Sequence, residues 1–185
     1  MHMGQETNAQ LAAFTETAEF YIAKLRRYTT GVDVTEMQWT PPGIANSLAW
    51  IARHCAGLLW LSYGRLAGQR IPVNLGASGI AWSSVKGAMF DEAAQEPGPD
   101  AQERTAYLER AWQTLKAYLQ SHPDWEEVEL VVDRRRRSAW TYLQHNLGDL
   151  CYHTGQASYL RKLLTAERRR VRARRQRAER AAQRA

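Results

Sequence analysis

Cysteine and long apolar runs are scarce in this sequence, and each scarcity excludes a class of protein. Two cysteines among 185 residues, Cys55 and Cys151, cannot form a disulfide framework. Nothing near the start resembles the charged and apolar segments of a secretion signal. The most apolar run, residues 48–64, is interrupted by Arg53 and His54 and is shorter than the roughly 20 apolar residues that span a bilayer. We therefore expect a cytoplasmic protein with reduced thiols and no membrane partner.

The excess of positive charge is confined to the last part of the chain. Residues 165–185 contain nine arginines against Glu167 and Glu179, a balance of 9 − 2 = +7. Since the whole chain carries +6, residues 1–164 carry 6 − 7 = −1. This nearly neutral part is long enough to form one domain with its own core. We expect one globular domain, 1–164, followed by an arginine-rich tail, 165–185, that is helical or disordered.

Apolar residues recur at helical spacing in four segments, which predicts an all-α protein. The segments run from about residue 6 to 28, from Asn46 or Ser47 to near Gly68, from Pro99 or Asp100 to about residue 121, and from Ser138 onward. A brief strand is predicted only at EEVELVV, residues 126–132. Four amphipathic helices can bury their apolar faces together, so we predict a four-helix bundle with a long irregular connection, residues 69–100, between helices two and three.

Polar residues on the apolar side of two helices are candidates for a metal site. His54 lies beside the apolar stripe of helix two, and HNLGDLCYHTGQ places Asp149 and His153 one turn apart on helix four. These three residues would supply ligands to a first-row metal and leave positions open. The alternative is structural: His54 and His153 are satisfied core residues, and Asp149 accepts a hydrogen bond from His145 or His153. Spacing alone favours this alternative. His145 lies roughly 80° around the helix from His153, which places it at the rim of the bundle or beside the metal ligands.

Two longer motifs include these candidate residues. The first is MQWTPPGIANSLAWIARHCAGLLWLSYGRLAGQ, where a Trp-Pro loop precedes Asn-Ser and a helix with an inward histidine. The second is LGDLCYHTGQASYLRKLL, where a histidine is followed by a small residue, Gly and Gln, and then by Leu-Arg. Both motifs resemble the DinB/YfiT-like superfamily of four-helix-bundle metalloenzymes. The resemblance covers residues 6–164 and implies an antiparallel bundle with a long crossover between helices two and three.

The resemblance also implies a divalent metal held by one residue of helix two and two residues of the last helix. Matched position by position, these are His54, Asp149 and His153, with Asp149 where a histidine is common in the family. Zn, Ni, Mn and Fe are all compatible with two histidines and a carboxylate. Characterised relatives use low-molecular-weight thiols, such as bacillithiol or mycothiol, in S-transfer and isomerisation. The chain would then act on a small electrophile through a metal-activated thiol, with no catalytic residue beyond the metal site.

Other hypotheses remain open beside this one. A hydrolase would use a metal-bound water. A non-catalytic homodimeric scaffold, or a stress-related binding protein, would keep only the remains of the site. The arginine tail would bind nucleic acid without regard to sequence, although we favour a solvated extension because charge runs are usually solvated. Cys55 and Cys151 are interpreted as packing residues. Trp50, Trp60, Trp82 and Trp140 are interpreted as core or interface, and His122 as surface.

Overall fold

The fold is all-α, as predicted, with 77% of the chain in helices. The structure is a computed structural model and describes residues 3–73, 98, 100–132 and 134–184, with side chains from residue 9 onward. Its helices are α1 (Met3–Thr29), α2 (Val34–Gln38), α3 (Leu48–Ala67), α4 (Ala101–Ser121) and α5 (Ala139–Ala182), with a 3-10 turn at Pro123–Glu127. Two short strands, β1 (Glu129–Val132) and β2 (Arg135–Ser138), pair antiparallel.

Three of the long helices begin at the capping residues that the sequence indicates. Ser47 and Ser138 accept hydrogen bonds from the backbone N–H groups three residues on, at 3.1 and 3.2 Å. The Asp100 carboxylate accepts from two N–H groups of the first turn of α4. Helix α3 ends at Gly68, whose φ of 63° is the left-handed conformation that glycine adopts readily. These local contacts explain why the helix limits are close to the predicted ones.

The core lies between four long helices that contact one another in pairs. Helix α3 packs against α4 and α5, helix α1 packs against the same two, and the short α2 covers part of α3. Buried side chains from all four long helices form one apolar cluster, which includes Leu25, Ile51, Leu115 and Leu160. The antiparallel arrangement of these helices stays a prediction.

Two short elements depart from the sequence interpretation. Helix α2 was not predicted; Asp33 and Glu36 form a reciprocal capping box, which stabilises one turn despite its short length. The predicted strand is present as β1, but its partner β2 was missed because Arg-Arg-Arg-Ser carries no apolar alternation. Strand β1 buries Leu130 and Val132 on one face, and β2 needs only its backbone to pair with it.

Most of the predicted long connection, and Trp82 within it, lies outside the described residues. None of the helices in the described part of the chain combines the length and the apolar character that a membrane crossing requires.

Helix α5 continues through the predicted boundary at residues 164/165 without a break. Its first part packs on the core as far as Leu164, and every residue from 168 to 184 is exposed. Two arginines attach the transition to the turn after α1: Arg161 donates to the Thr30 carbonyl at 3.2 Å, and Arg168 donates to the Gly31 carbonyl at 3.0 Å. Arg168 also forms a two-pronged ion pair with Glu36.

We expect the ion pair between Arg168 and Glu36 to make stability depend on pH. The Arg168 guanidinium, aided by the Asp33 backbone N–H, holds the pKa of Glu36 below its ordinary value. A carboxyl with a lowered folded-state pKa adds stability above its unfolded pKa of about 4.3, and that contribution is lost as pH falls through the lower folded value. Glu36→Gln should therefore cost about 1 kcal/mol near neutral pH, and the cost should shrink below about pH 4.

Urea unfolding of both proteins from pH 7 to pH 3 measures this difference. Glu129→Gln is the matched control, because Glu129 pairs with Arg136 where both side chains are largely exposed. Its effect should be no more than a few tenths of a kcal/mol. An equal loss in the two variants, or a loss in Glu36→Gln that is constant over the whole pH range, would contradict the role of this ion pair.

Candidate metal centre

Two histidines from different helices meet at the interface between α3 and α5. The ring centroids of His54 and His153 are 4.5 Å apart, and the rings are inclined at 70°. His153 is buried, because it shares a helix face with Leu150, Ala157 and Leu160, while His54 is half-buried at the edge of the α3 core face. The structure therefore brings two of the three predicted ligands together.

The hydrogen bonds of Gln156 fix the orientation of His153. The Nδ1 atom of His153 is 2.9 Å from Oε1 of Gln156, and Nδ2 of Asn46 donates to the same oxygen at 3.4 Å. Because an amide oxygen can only accept, the hydrogen bond between these two atoms is donated by an Nδ1–H group of the imidazole. A neutral His153 then keeps its lone pair on Nε2, which is the form that ligates metals.

The indole ring of Trp50 packs against both histidines of the pair. Its ring stacks on His54 with centroids 4.6 Å apart at 10°, and its edge contacts His153 at 5.5 Å. The sequence analysis placed Trp50 in the core or an interface and Asn46 at the start of a helix. It placed Gln156 in the motif that contains His153 but gave it no role at the site. The available signal was the spacing, since Trp50 precedes His54 by four residues and Gln156 follows His153 by three.

Asp149 is not brought to the histidine pair in this structure. Its carboxylate lies 3.8 Å from Nε2 of His145, one turn earlier on α5, and 41% of the side chain is exposed. His145 is one of the two neighbours that the structural alternative named, but the two groups are at ion-pair distance and not at hydrogen-bond distance. No three His, Cys, Asp or Glu side chains of the described residues form a metal-binding group. The two imidazoles suit a first-row divalent ion, whereas the place of Asp149 as third ligand stays a prediction.

The two cysteines differ, and the prediction for one of them was wrong. Cys55 is completely buried as expected, and burial, with a smaller effect of the Asp149 charge, raises the pKa of its thiol. Cys151 is exposed rather than packed in the core. It follows the buried Leu150 by one residue, and the helix turns it about 100° away, toward Tyr21. Two other histidines are separate from the pair: His145, expected at the rim or beside the ligands, is largely exposed, and His122, expected at the surface, stacks on Tyr118.

The fold and the site define the class: an all-α protein with an imidazole pair held between two core helices. The family model of the DinB superfamily matches residues 18–157. The chain belongs to the DinB superfamily. This match covers His54, Asp149 and His153 and ends just before the arginine-rich extension.

Comparison with solved structures supports the same fold. The chain resembles a protein described as a conserved protein of locus from Enterococcus faecalis, with a TM-score of 0.63 and 18% sequence identity. The similarity covers 90% of this chain and 99% of that one. At this level of identity the likeness concerns the fold alone. No curated protein matches the sequence significantly.

Proposed function

We propose that this protein is a divalent-metal-dependent enzyme that transfers or isomerises small electrophilic substrates with the help of a low-molecular-weight thiol. His54 and His153 would hold the metal, with Asp149 as the third protein ligand. Membership of the DinB superfamily supports this proposal. The observation that carries it is the close approach of the two imidazoles from separate helices.

The environment of the pair is compatible with ligation. The Nδ1 atom of His153 is engaged by Gln156, which leaves Nε2 as the ring nitrogen that can bind a metal. Asn46, from the segment before α3, fixes Gln156 in turn. A hydrogen bond to the far nitrogen of a ligand histidine commonly orients the ring and increases its basicity. Gln156 and Asn46 are therefore positioning residues in this proposal.

When bound, a divalent ion would act as a Lewis acid that keeps a thiol deprotonated near neutral pH. The chain itself would supply binding and orientation. Trp50, stacked on His54, offers an apolar surface that limits the access of water and contacts the carbon skeleton of a thiol or electrophile. No protein nucleophile is required, because the thiol comes with the substrates.

The proposal extends to the arrangement of the protein in solution. Pairwise packing of the four long helices supports an antiparallel four-helix bundle, and the two-helix origin of the histidine pair is typical of sites inside such bundles. We propose a cytoplasmic homodimer, with exposed aromatic side chains such as Phe20 and Tyr152 available at its surface.

We expect protein purified without a metal-affinity column to contain close to one equivalent of Zn, Ni, Mn or Fe. His54→Ala and His153→Ala should each lose most of this metal, because one imidazole provides too few ligands. Gln156→Leu should weaken metal affinity by roughly 10- to 100-fold, since it removes the acceptor for Nδ1 of His153. Elemental analysis and competition with a chelator measure both effects.

His122→Ala is the matched control. His122 is an exposed histidine that follows α4, and neither His54 nor His153 belongs to that helix. It should retain the metal content of the unaltered protein. Asp149→Ala tests the third ligand: loss of metal supports coordination by the carboxylate, and full retention removes Asp149 from the ligand set. Absence of metal from the unaltered protein, even after reconstitution with each of the four ions, would overturn the proposal and favour a non-catalytic scaffold.

The metal-loaded protein can then be assayed with bacillithiol or mycothiol and a chromogenic electrophile. Thiol-dependent consumption of the electrophile that disappears in His153→Ala supports transfer chemistry. Ester hydrolysis that needs the metal but no thiol would favour the hydrolase alternative instead.

A further inference from the structure

The exposed end of α5 is a strongly basic helix with few acidic partners. Nine arginines lie between residues 165 and 185, against two glutamates. Arg168 pairs with Glu36, and Arg170 pairs with Glu167. Within the described residues, the other seven form no ion pair: Arg169, Arg172, Arg174, Arg175, Arg177, Arg180 and Arg184. The positive charge of this segment is therefore mostly uncompensated by the protein itself.

The basic helix is held in a fixed direction relative to the core. Leu164 is buried, and the contacts of Arg161 and Arg168 with the Thr30 and Gly31 carbonyls tie the last packed turn to the α1–α2 connection. A solvated tail needs no such attachment. A rigid helix loses less conformational entropy on binding a partner than a disordered segment would.

The arginines of this helix repel one another at helical spacing. Arg168 and Arg172 are four residues apart, as are Arg170 and Arg174, and like charges at that spacing destabilise a helix. An anionic partner would remove this repulsion and would also stabilise the helix. The charge pattern thus points to a ligand with closely spaced negative charges rather than to a single anion.

Of the unpaired arginines inside α5, three project away from the protein body. At 100° per residue, Arg169, Arg177 and Arg180 lie roughly 140–220° around the helix from the buried Leu164. They extend over about 17 Å of the helix axis, a length along which duplex DNA presents roughly ten phosphate charges. This row of side chains can reach a phosphate backbone without obstruction from the core.

We propose that residues 168–184 form a binding surface for the phosphate backbone of double-stranded nucleic acid, independent of base sequence. The major groove of duplex DNA admits an α-helix, and arginine matches phosphate oxygens in two-pronged hydrogen bonds. Stacking on unpaired bases is not available, because residues 165–185 contain no aromatic side chain. Insertion into a lipid surface lacks the wide apolar face that it requires, since Val171 is the only large apolar residue in this segment.

The proposal is tested with the full-length protein and fluorescent 20-base-pair DNA duplexes of two unrelated sequences. Anisotropy titrations should give equal affinities for the two sequences, and log K should fall against log[salt] with a slope of about −3 or steeper. The variant Arg169→Gln/Arg177→Gln/Arg180→Gln should bind at least about tenfold more weakly at low salt, with a slope shallower by roughly 0.9 for each lost phosphate contact.

The control variant Arg27→Gln/Arg134→Gln/Arg135→Gln removes the same charge from exposed positions elsewhere. It should bind like the unaltered protein, and circular dichroism should show both variants folded. An equal loss of affinity for the duplex in the two variants would overturn the proposal. It would show that binding depends on the net charge of the protein and not on the position of the arginines. No binding at low salt would also overturn it, as would binding to phosphatidylserine vesicles with none to duplexes.

Discussion

Replacing Trp112 with alanine is expected to lower the free energy of unfolding by about 3–5 kcal/mol. Trp112 lies on α4 and is only 2% exposed, so its removal leaves a large cavity in the core. Its ring contacts Phe14 of α1, with centroids 6.2 Å apart, and therefore joins two helices that are distant in sequence. Loss of this ring removes apolar burial and helix–helix contact at one position.

Urea unfolding followed by circular dichroism, with linear extrapolation, measures this loss. Trp112→Phe should cost less, because a phenyl ring fills part of the space. Tyr159→Ala is the surface control, since Tyr159 is 55% exposed on α5, and it should change stability by less than about 0.5 kcal/mol. If Trp112→Ala lowers the free energy of unfolding no more than the control does, the prediction is wrong and packing around Trp112 does not contribute to stability.

Gly64→Ala is expected to destabilise the protein by about 1–3 kcal/mol, opposite in sign to the usual effect in a helix. Alanine normally gains roughly 1 kcal/mol over glycine at an interior helix position. Here an added Cβ would lie 2.4 Å from Cγ2 of Ile71 and 3.2 Å from the Gln69 carbonyl oxygen. Ile71 is fully buried, so its side chain has little space into which to move.

A double-mutant cycle with Ile71→Ala separates the clash from other effects. Ile71→Ala alone should cost about 2–5 kcal/mol because it creates a cavity. In that background the added methyl group has space beside it, and the cost of Gly64→Ala should fall by about 1–2 kcal/mol. Strict additivity of the two substitutions, measured by urea unfolding, would contradict the contact between Gly64 and Ile71.

The two functional proposals fail independently of each other. The histidine pair lies between α3 and α5, whereas the basic helix begins after the last packed turn of α5. The arginine triple variant should therefore keep its metal, and His153→Ala should keep its affinity for duplex DNA. A simultaneous loss of both properties would indicate unfolding rather than the removal of either site.

The sequence predicted the class and the helix limits well, because both depend on short-range contacts. Ser47, Ser138 and Asp100 cap their helices through N–H groups two or three residues away, and Gly68 ends α3 by its own conformation. Apolar periodicity identified the faces that Ile51 and Leu160 bury. Strand β2 was not predicted. Its residues pair with β1 through the backbone, and their sequence has no alternation of apolar and polar side chains.

The candidate site was predicted only in part. Family motifs and helical spacing were sufficient to select His54 and His153, which the structure brings to ring contact. The role of Asp149 as third ligand stays a prediction, because both His145 and His153 lie one turn from it and its side-chain rotamer decides which of them it meets.

By itself, the sequence determined the all-α class, the starts of α3, α4 and α5, the family and the charge of the last 21 residues, since composition and contacts within a few residues are sufficient for these properties. Only the tertiary structure decided that Asn46 reaches Gln156 across 110 residues, that Trp50 stacks beside the histidine pair, and that Arg168 ties the basic helix to Glu36. The physical reason is geometric. Contacts between helices depend on how each helix is rotated and placed against its neighbour, and packing of the whole core fixes those quantities.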